Sequence, residues 1–338
     1  MLIRTKLATW LAGALGGAGA LALAGYVAVR ASPWPSALLF RIPFNRQARL
    51  VSRALAAHVP AHVSAQVNER YHPRGRHTYL DVFHPADLAP DQALPTVVWV
   101  HGGAWVSGSR RMVANYLRVL AGHGFTTVGV GYTIAPAGRY PLPLHQLNAA
   151  LDHLRRHASR LHVDPGRIVL AGDSSGAQIA AQVANAASDP AYADMVGIRP
   201  AIDRSRLAAT LLYCGAYDLN LVDLNGDWGW FLRTILWAYT GRKDIESDPR
   251  LDSASVARYV TDDFPPAFIS VGNADPLVEQ SRSLAAALGG AGAPAETLIF
   301  PDDTTPALEH EFQFNLDSDA GQLALRRSVA FLRRHTGG

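Results

Sequence analysis

The sequence predicts an α/β fold, with a mostly parallel central sheet and helices on both faces. Short, continuous apolar runs such as 95–100 and 167–171 are typical of strands buried on both sides, and helical segments follow them. Strands that alternate with helices favour parallel pairing. The chain has 338 residues, 49% hydrophobic and 17% charged, which suits one large domain. The net charge of +3 is small and the arginines are dispersed, so no nucleic acid partner is expected.

The first 32 residues are expected to form an N-terminal transmembrane helix. Arg4 and Lys6 precede a stretch over 7–29 that has no charged residue, and Arg30 ends it. At about 1.5 Å per residue, such a helix spans a hydrocarbon core of roughly 30 Å. A cleavable signal peptide is the alternative. We therefore expect a single-pass membrane protein, and the side of the membrane that the main domain faces is undetermined. If the segment is cleaved, we expect a secreted or periplasmic protein.

Residues 33–74 are expected to form a connector followed by one helix. Pro33, Pro35 and Pro43 interrupt the connector, and 47–59 has the apolar spacing of an amphipathic helix. This helix could lie on a membrane surface or cover a binding site.

The main domain is expected over residues 75–338. Its first strand, over 78–83, is predicted from the alternation of apolar and polar residues. A long insert, expected over about 216–262, separates a strand that ends at Cys214 from a strand over 266–271. Cys214 is interpreted as a small buried hydrophobic residue, and a single cysteine permits no intrachain disulfide.

The pentapeptide 172–176 reads Gly-Asp-Ser-Ser-Gly and lies between the strand over 167–171 and a helix over 177–187. A G-x-S-x-G turn in that context is typical of a nucleophile elbow, in which the glycines allow a sharp turn that presents the serine hydroxyl to a substrate. Ser174 is therefore the candidate nucleophile. Asp173 is expected to bind nearby backbone.

Residues 101–105, His-Gly-Gly-Ala-Trp, follow the strand over 95–100. Glycines at the carboxyl end of a strand leave backbone N–H groups open to a ligand, and such groups can hold the negative oxygen of a tetrahedral intermediate. An ordinary glycine-rich turn is the alternative. We assign the oxyanion hole to the N–H groups of Gly102, Gly103 and Ser175.

A serine hydroxyl is a poor nucleophile until a base takes its proton. His310, in a loop after the predicted strand over 296–300, is the candidate base. Asp275, in a loop after another predicted strand, is the candidate acid that would hold the imidazole in one tautomer. Asp302 and Asp303 are rivals to Asp275, because they follow a strand end closer to the histidine.

Taken together, these motifs resemble the hormone-sensitive-lipase-like esterases of the α/β-hydrolase superfamily. The resemblance rests on H-G-G-A-W at 101–105, Tyr-Thr-Ile-Ala-Pro at 132–136, Tyr-Pro at 140–141, G-D-S-S-G at 172–176, D-P-L at 275–277 and H-E-F at 310–312. It covers about residues 75–335, and the order serine, aspartate, histidine is that of the α/β-hydrolase fold. The resemblance implies this fold with a helical cap, to which the N-terminal helix contributes, and places the family's nucleophile, acid, base and oxyanion glycines on the residues assigned above.

Three positions depart from the family pattern. Ala104 replaces the usual third glycine, and Ser175 replaces the usual alanine after the nucleophile. Both leave the backbone donors in place. Glu311 stands where the family usually has glycine, which changes the loop of His310.

Aromatic residues are concentrated in the insert, where they either pack on the core or line an acyl pocket from a cap. Because pockets for small molecules are mostly apolar and aromatic, and because of the insert's position in the fold, the cap is favoured. The residues predicted for the pocket are Trp105, Trp228, Trp230 and Phe231.

The expected function is that of a serine carboxylesterase, which hydrolyses short- to medium-chain esters through an acyl-enzyme. No metal or organic cofactor is implied, the expected partners are a small ester and the membrane, and the oligomeric state is open. An amide or formamide hydrolase is an alternative, because 101–105 also resembles motifs of such relatives. A non-catalytic small-molecule receptor is a second alternative, although such receptors usually lose a member of the triad and none is missing here.

Overall fold

The computed structural model describes residues 23–73, 75, 77–245 and 247–337. Within these ranges, one sheet contains β1 (Val63–Arg70), β2 (Tyr79–Pro85), β3 (Leu94–Val100), β4 (Thr126–Val130), β5 (Val163–Asp173), β6 (Leu207–Tyr213), β7 (Ala267–Val271) and β8 (Ala295–Ile299). Their order across the sheet is β1-β2-β4-β3-β5-β6-β7-β8. β2 pairs antiparallel with β1 and β4, and all other pairs are parallel. The prediction of a mostly parallel sheet is confirmed.

Side chains of β3 show that the sheet is covered on both faces. Val98 and Val100 belong to one hydrophobic cluster, and Val97 and Trp99 belong to another. Successive side chains of a strand point to opposite faces, so the two clusters lie on opposite sides. The helices are α1 (Trp34–Leu55), α2 (Arg110–Ala121), α3 (Leu142–Arg156), α4 (Ser175–Ser188), α5 (Pro190–Val196), α6 (Gly229–Thr240), α7 (Pro249–Ala254), α8 (Val278–Ala291) and α9 (Asp319–Thr336). α3 and α4 pack on the first face, and α2 and α9 pack on the second.

β1 lies ahead of the first strand that the sequence predicts. It is an edge strand without a fully buried residue, and Val67 is 54% exposed. Its pairing with β2 supplies backbone hydrogen bonds rather than an apolar face. A pattern search for apolar runs therefore does not detect it.

Helix α1 is longer than the helix expected over 47–59. It runs without interruption from Trp34 to Leu55. Pro33 is its N-cap residue and Pro35 lies in its first turn, where the missing N–H group of proline costs no hydrogen bond. Pro43 is accommodated inside the helix. Two of the three prolines expected to interrupt a connector therefore start a helix, which packs against α2 and α6.

The expected transmembrane helix needs correction. Residues 1–22, most of the expected span, lie outside the described residues. In the part of the chain that the structure describes, no helix has the length and apolar character needed to cross a bilayer. Residues 23–31 are helical, but that helix ends before Pro33, and α1 contains Arg41, Arg46, Arg49 and Arg53. This finding contradicts the predicted single-pass membrane localisation, and it leaves the expected membrane partner without support.

Candidate active site

Ser174 occupies the sharp turn between β5 and α4. Its φ of 52° and ψ of −125° form a backbone conformation that is strained for a residue with a side chain. The turn lies against the end of β3: a Cβ on Gly172 would approach the backbone oxygen of Val100 to 2.7 Å, and one on Gly176 would approach it to 2.1 Å. This close approach explains why both glycines of the motif are needed.

His310 connects Ser174 with Asp275. Its Nε2 atom lies 3.0 Å from the Oγ atom of Ser174. Its Nδ1 atom lies 3.0 Å and 2.9 Å from the Oδ1 and Oδ2 atoms of Asp275. The Asp275 side chain is fully buried, and its Oδ1 atom also accepts a hydrogen bond from the N–H group of Leu277 at 2.7 Å. The structure therefore brings together three side chains that follow β5, β7 and β8, at the carboxyl edge of the sheet.

The two rival carboxylates lie elsewhere. Asp302 forms an ion pair with Arg282 at 2.6 Å, and its side chain is 79% exposed. Asp303 is exposed as well. Of the three candidate acids, Asp275 is the one that contacts His310.

Opposing effects determine the pKa of His310. Burial lowers this pKa, whereas Cys214 and Asp275 raise it, and the result lies well above the usual value for histidine. Burial raises the pKa of the Cys214 thiol to about 11, so the thiol is neutral near pH 7. Asp275 is therefore the neighbour that attracts the imidazolium at that pH. With Nδ1–H donated to Asp275, the lone pair of Nε2 faces Ser174, as a general base requires.

The backbone donors near the serine differ from the assignment made on the sequence. The N–H group of Gly102 donates to the Oδ2 atom of Asp173 at 2.8 Å, so it is not available to an oxyanion. Within the described residues, the N–H groups of Gly103, Ala104 and Ser175 have no hydrogen-bond partner. The assignment of Gly102 is therefore corrected, and Gly103, Ala104 and Ser175 become the candidate donors.

Comparison with known proteins identifies the family of the fold. The profile of the alpha/beta hydrolase fold family matches residues 97–312, which include the turn of Ser174 and the loop of His310. The chain belongs to the alpha/beta hydrolase fold family. The fold that the motifs imply is thus confirmed.

Several relatives of this alpha/beta hydrolase are esterases by name. Esterase LipQ of Mycobacterium tuberculosis is 31% identical over 229 residues, which are 66% of this chain and 52% of LipQ, so the match spans about half of that relative. An acetyl esterase of Salmonella choleraesuis is 27% identical over 247 residues, 70% of this chain and 73% of the relative. The crystal structure of an inhibited esterase B from Lactobacillus rhamnosis has a TM-score of 0.74 at 22% identity, and covers 88% of this chain and 97% of that chain. At that identity, the likeness shows a shared fold.

Ser175, one of the departures from the family pattern, has a structural partner. Its Oγ atom accepts a hydrogen bond from the backbone N–H group of Trp105 at 3.1 Å. The Ser175 side chain thus connects the loop of residues 101–105 to the start of α4. Within the described ranges, the backbone N–H group of Ser175 remains without a hydrogen-bond partner. The sequence contains no signal for this contact other than the departure itself.

The four predicted pocket residues do not form one cluster. Trp105 is buried, donates from Nε1 to Gln178 at 3.2 Å, and stacks on Tyr239 with ring centroids 4.5 Å apart. Trp228, Trp230 and Phe231 are instead at the start of α6, with the two tryptophans 72% and 67% exposed.

An aromatic cluster joins α6 to α1, and we define it as Phe40, Phe44, Trp228, Trp230 and Phe231. The ring centroid of Phe40 lies 4.9 Å from that of Phe231 and 5.3 Å from that of Trp230. Phe44 and Trp228 lie 5.9 Å and 6.2 Å from Phe231. Packing on the core alone therefore does not describe the aromatic residues of the insert, because these rings are partly exposed and pack on the N-terminal helix.

Helix α1 also contacts the loop that follows the candidate oxyanion donors. Arg41 donates to the backbone oxygens of Val106 and Ala135 at 2.6 Å and 2.8 Å. The Oδ1 atom of Asn45 accepts from the N–H group of Gly108 at 3.1 Å. Neither residue was selected from the sequence, where a polar side chain in a helix is normally expected to face solvent.

In the described part of the chain, one group of side chains has the spacing of metal ligands. The potential ligand atoms of Cys214, Asp275 and His310 lie within 4.8 Å of one another. Both ring nitrogens of His310 are already hydrogen-bonded to Ser174 and Asp275. A metal ion there would replace the hydrogen bonds described above rather than add to them.

Proposed function

We propose that this protein is a serine carboxylesterase that hydrolyses short- to medium-chain esters through an acyl-enzyme. The observation that carries the proposal is the continuous hydrogen-bonded chain from Ser174 through His310 to Asp275. Such a chain couples a hydroxyl to a base whose tautomer is held by a buried carboxylate.

In the first half of the reaction, the Oγ atom of Ser174 attacks the ester carbonyl carbon while the Nε2 atom of His310 takes the hydroxyl proton. The negative oxygen that forms would be held by the N–H groups of Gly103, Ala104 and Ser175. Removal of one such donor typically raises the barrier by about 2.7–4 kcal/mol. The imidazolium then gives its proton to the departing alkoxide, which leaves as the alcohol.

In the second half, a water molecule takes the place of the alcohol. His310 removes a proton from the water as it attacks the acyl carbon, and returns that proton to Ser174 when the acid leaves. Asp275 stabilises the imidazolium in both halves. The side chain of His310 is 32% exposed, which gives water access to the base.

The names of two relatives support an ester with a short acyl chain, because both are esterases and one is an acetyl esterase. As part of the proposal, we assign the acyl group to the aromatic cluster on α1 and α6, because pockets for small molecules are mostly apolar and aromatic.

The test is a series of p-nitrophenyl esters of increasing acyl length, measured on the full chain and on Ser174→Ala. We expect Ser174→Ala to lower kcat by about 10⁴-fold or more for every ester. Ser188→Ala is the matched control, because its hydroxyl donates to the backbone of Ala184 at the other end of α4. A Ser174→Ala variant with near-normal turnover would rule out this nucleophile. Faster cleavage of a matched amide than of its ester would favour the amide hydrolase instead.

A further inference from the structure

The loop that carries two of the candidate oxyanion donors has a strained backbone. Gly103, Ala104 and Trp105 have φ angles of 117°, 51° and 58°, in the left-handed region that favours glycine. Two of these residues have a side chain, so the conformation is unfavourable on its own. It persists only where surrounding contacts stabilise it. The positions of the N–H groups of Gly103 and Ala104 therefore depend on the contacts that hold this loop.

Trp105 makes the contacts at the end of the loop. Its backbone N–H group donates to the Oγ atom of Ser175 at 3.1 Å, and its backbone oxygen accepts from the N–H group of Ala135 at 2.8 Å. Its indole Nε1 atom donates to the Oε1 atom of Gln178 at 3.2 Å, and its ring stacks on Tyr239. Because Ser175 and Gln178 both lie at the start of α4, these contacts connect the loop to the helix that carries the third candidate donor.

The side-chain amide of Gln178 also connects the loop to the insert. Its Nε2 atom donates to the backbone oxygen of Ala254, at the end of α7, at 2.9 Å. The indole of Trp105 can only donate and the carbonyl group of Ala254 can only accept, so the two partners fix the orientation of the amide. Gln178 is fully buried, and a buried polar group that loses its partner destabilises the structure. The amide therefore has one defined position between the two segments.

We propose that Gln178 is a positioning residue for the candidate oxyanion donors, because it holds the indole of Trp105 and thereby the strained loop that presents Gly103 and Ala104. This inference rests on the proposed function. It also gives the insert a part in the reaction, since the backbone of Ala254 fixes the same amide. Trp105, which the sequence predicts in the pocket, then has a second role in the geometry of the active site.

Two substitutions remove the indole hydrogen bond from opposite sides. Gln178→Met has a similar length but no amide, and Trp105→Phe keeps an aromatic ring beside Tyr239 but has no N–H donor. We expect each to lower kcat for ester hydrolysis by about tenfold at a similar KM, because the donors act on charge that develops in the transition state. The double variant should lose little more than the more impaired single variant, since both changes remove one interaction. Additive losses would show that the two side chains act independently, contrary to the proposal.

Gln182→Met is the matched control. Gln182 lies one turn further along α4, is also fully buried, and accepts hydrogen bonds from the hydroxyl groups of Tyr140 and Tyr192. We expect this variant to be less stable than the wild type, with a change in kcat of less than about twofold. An equal loss of kcat in Gln178→Met and Gln182→Met would mean that disturbed packing of α4 lowers the rate, and the positioning role would be wrong.

A pair of inhibitors separates oxyanion stabilisation from ground-state binding. An alkyl trifluoromethyl ketone accepts the Oγ atom of Ser174 at its carbonyl carbon while His310 takes the hydroxyl proton, so the ketone oxygen becomes an oxyanion. The matching methyl ketone binds mainly without this addition. We expect Gln178→Met to weaken inhibition by the trifluoromethyl ketone by about tenfold, and inhibition by the methyl ketone by less than about twofold. Trp105→Phe should behave in the same way, which keeps the test decisive if Gln178→Met does not fold. Equal changes for both ketones would overturn the proposal.

Hydrogen exchange of the Trp105 indole tests the contact without turnover. Its NMR signal is identified by its absence from Trp105→Phe. Exchange should be faster in Gln178→Met than in the wild type and unchanged in Gln182→Met, because only the first substitution removes the acceptor of this buried N–H group. Unchanged exchange in Gln178→Met would refute the link between Gln178 and Trp105. If the wild type hydrolyses no ester, the proposed function fails, and the exchange rates still decide whether Gln178 holds the indole.

Discussion

The backbone N–H group of Gly102 and the Oδ2 atom of Asp173 are 2.8 Å apart, and the Cα atom of Gly102 faces the same carboxyl group. A Cβ at position 102 would lie 2.4 Å from that Oδ2 atom and 2.9 Å from the backbone oxygen of Asp173. Since a backbone atom is involved, the turn of Ser174 must shift to make room. We expect Gly102→Ala to lower the free energy of unfolding by about 1–3 kcal/mol, and to reduce kcat more than KM.

Denaturant unfolding and ester kinetics measure the two effects of Gly102→Ala. Gly290→Ala is the matched control, because a Cβ at that position in α8 would meet no atom within 4 Å. Alanine is the better helix former, so the control should be neutral or stabilised by up to about 1 kcal/mol. If both variants behave alike, the contact between Gly102 and Asp173 is not a constraint.

Replacement of Asp275 by asparagine tests the acid of the proposed triad. The amide would donate to Nδ1, which places the proton of the imidazole on Nε2, where it can no longer accept the proton of Ser174. We expect kcat to fall by about 10⁴-fold with little change in KM. Asp302→Asn, at the exposed rival carboxylate, should keep wild-type kinetics. A strong loss of kcat in Asp302→Asn would reopen the assignment of the acid.

The dependence of activity on pH follows from the pKa of His310. Protonated His310 cannot act as a base, so kcat/KM should increase as the pH increases through this pKa. Because Asp275 raises the pKa of His310, the midpoint should lie above the ordinary value of about 6.5. A profile of kcat/KM from acid to alkaline pH measures it. A rate that does not change over this range would argue against a histidine base.

The sequence predicts the parts of the fold and the site that local patterns encode. The apolar runs of β3 and β5 indicate buried parallel strands, and the glycines around Ser174 indicate the sharp turn. The residues after β7 and β8 were assigned through their order in the chain and the family resemblance. All of these depend on neighbours in sequence or on a shared motif.

What the sequence did not predict depends on contacts between distant segments. The occupation of the Gly102 N–H group by Asp173 joins two loops 71 positions apart. Arg41 binds backbone oxygens that lie 65 and 94 positions away. β1 is stabilised by pairing with β2 rather than by its own apolar residues. No periodicity in the chain records these interactions, so a structure is needed to find them.

The aromatic cluster leads to a prediction about how kcat/KM depends on the acyl length of the ester. Phe231 is half-buried at its centre, between Phe40, Phe44 and Trp228. If the cluster lines the acyl pocket, Phe231→Ala should lower kcat/KM for the longest ester that is cleaved well by about tenfold, and affect the acetate ester little. The measurement is the ratio of kcat/KM for the two esters. Met195→Ala, at an exposed apolar residue on α5, should leave this ratio unchanged. An equal loss for both esters would remove Phe231 from the pocket.

The hydrogen bonds of Arg41 indicate that α1 stabilises the loop next to the candidate active site. Its guanidinium donates to the backbone oxygens of Val106 and Ala135, so Arg41→Met leaves two partly buried acceptors without this donor. We expect a decrease of about 1–3 kcal/mol in the free energy of unfolding, together with a lower kcat, because Val106 directly follows the loop of residues 101–105. Arg49→Met is the matched control, since Arg49 lies two turns further along the same helix and is exposed. Denaturant unfolding and ester kinetics on both variants decide the question. If Arg41→Met and Arg49→Met have the same stability and the same kcat, α1 does not stabilise the loop that carries the candidate oxyanion donors.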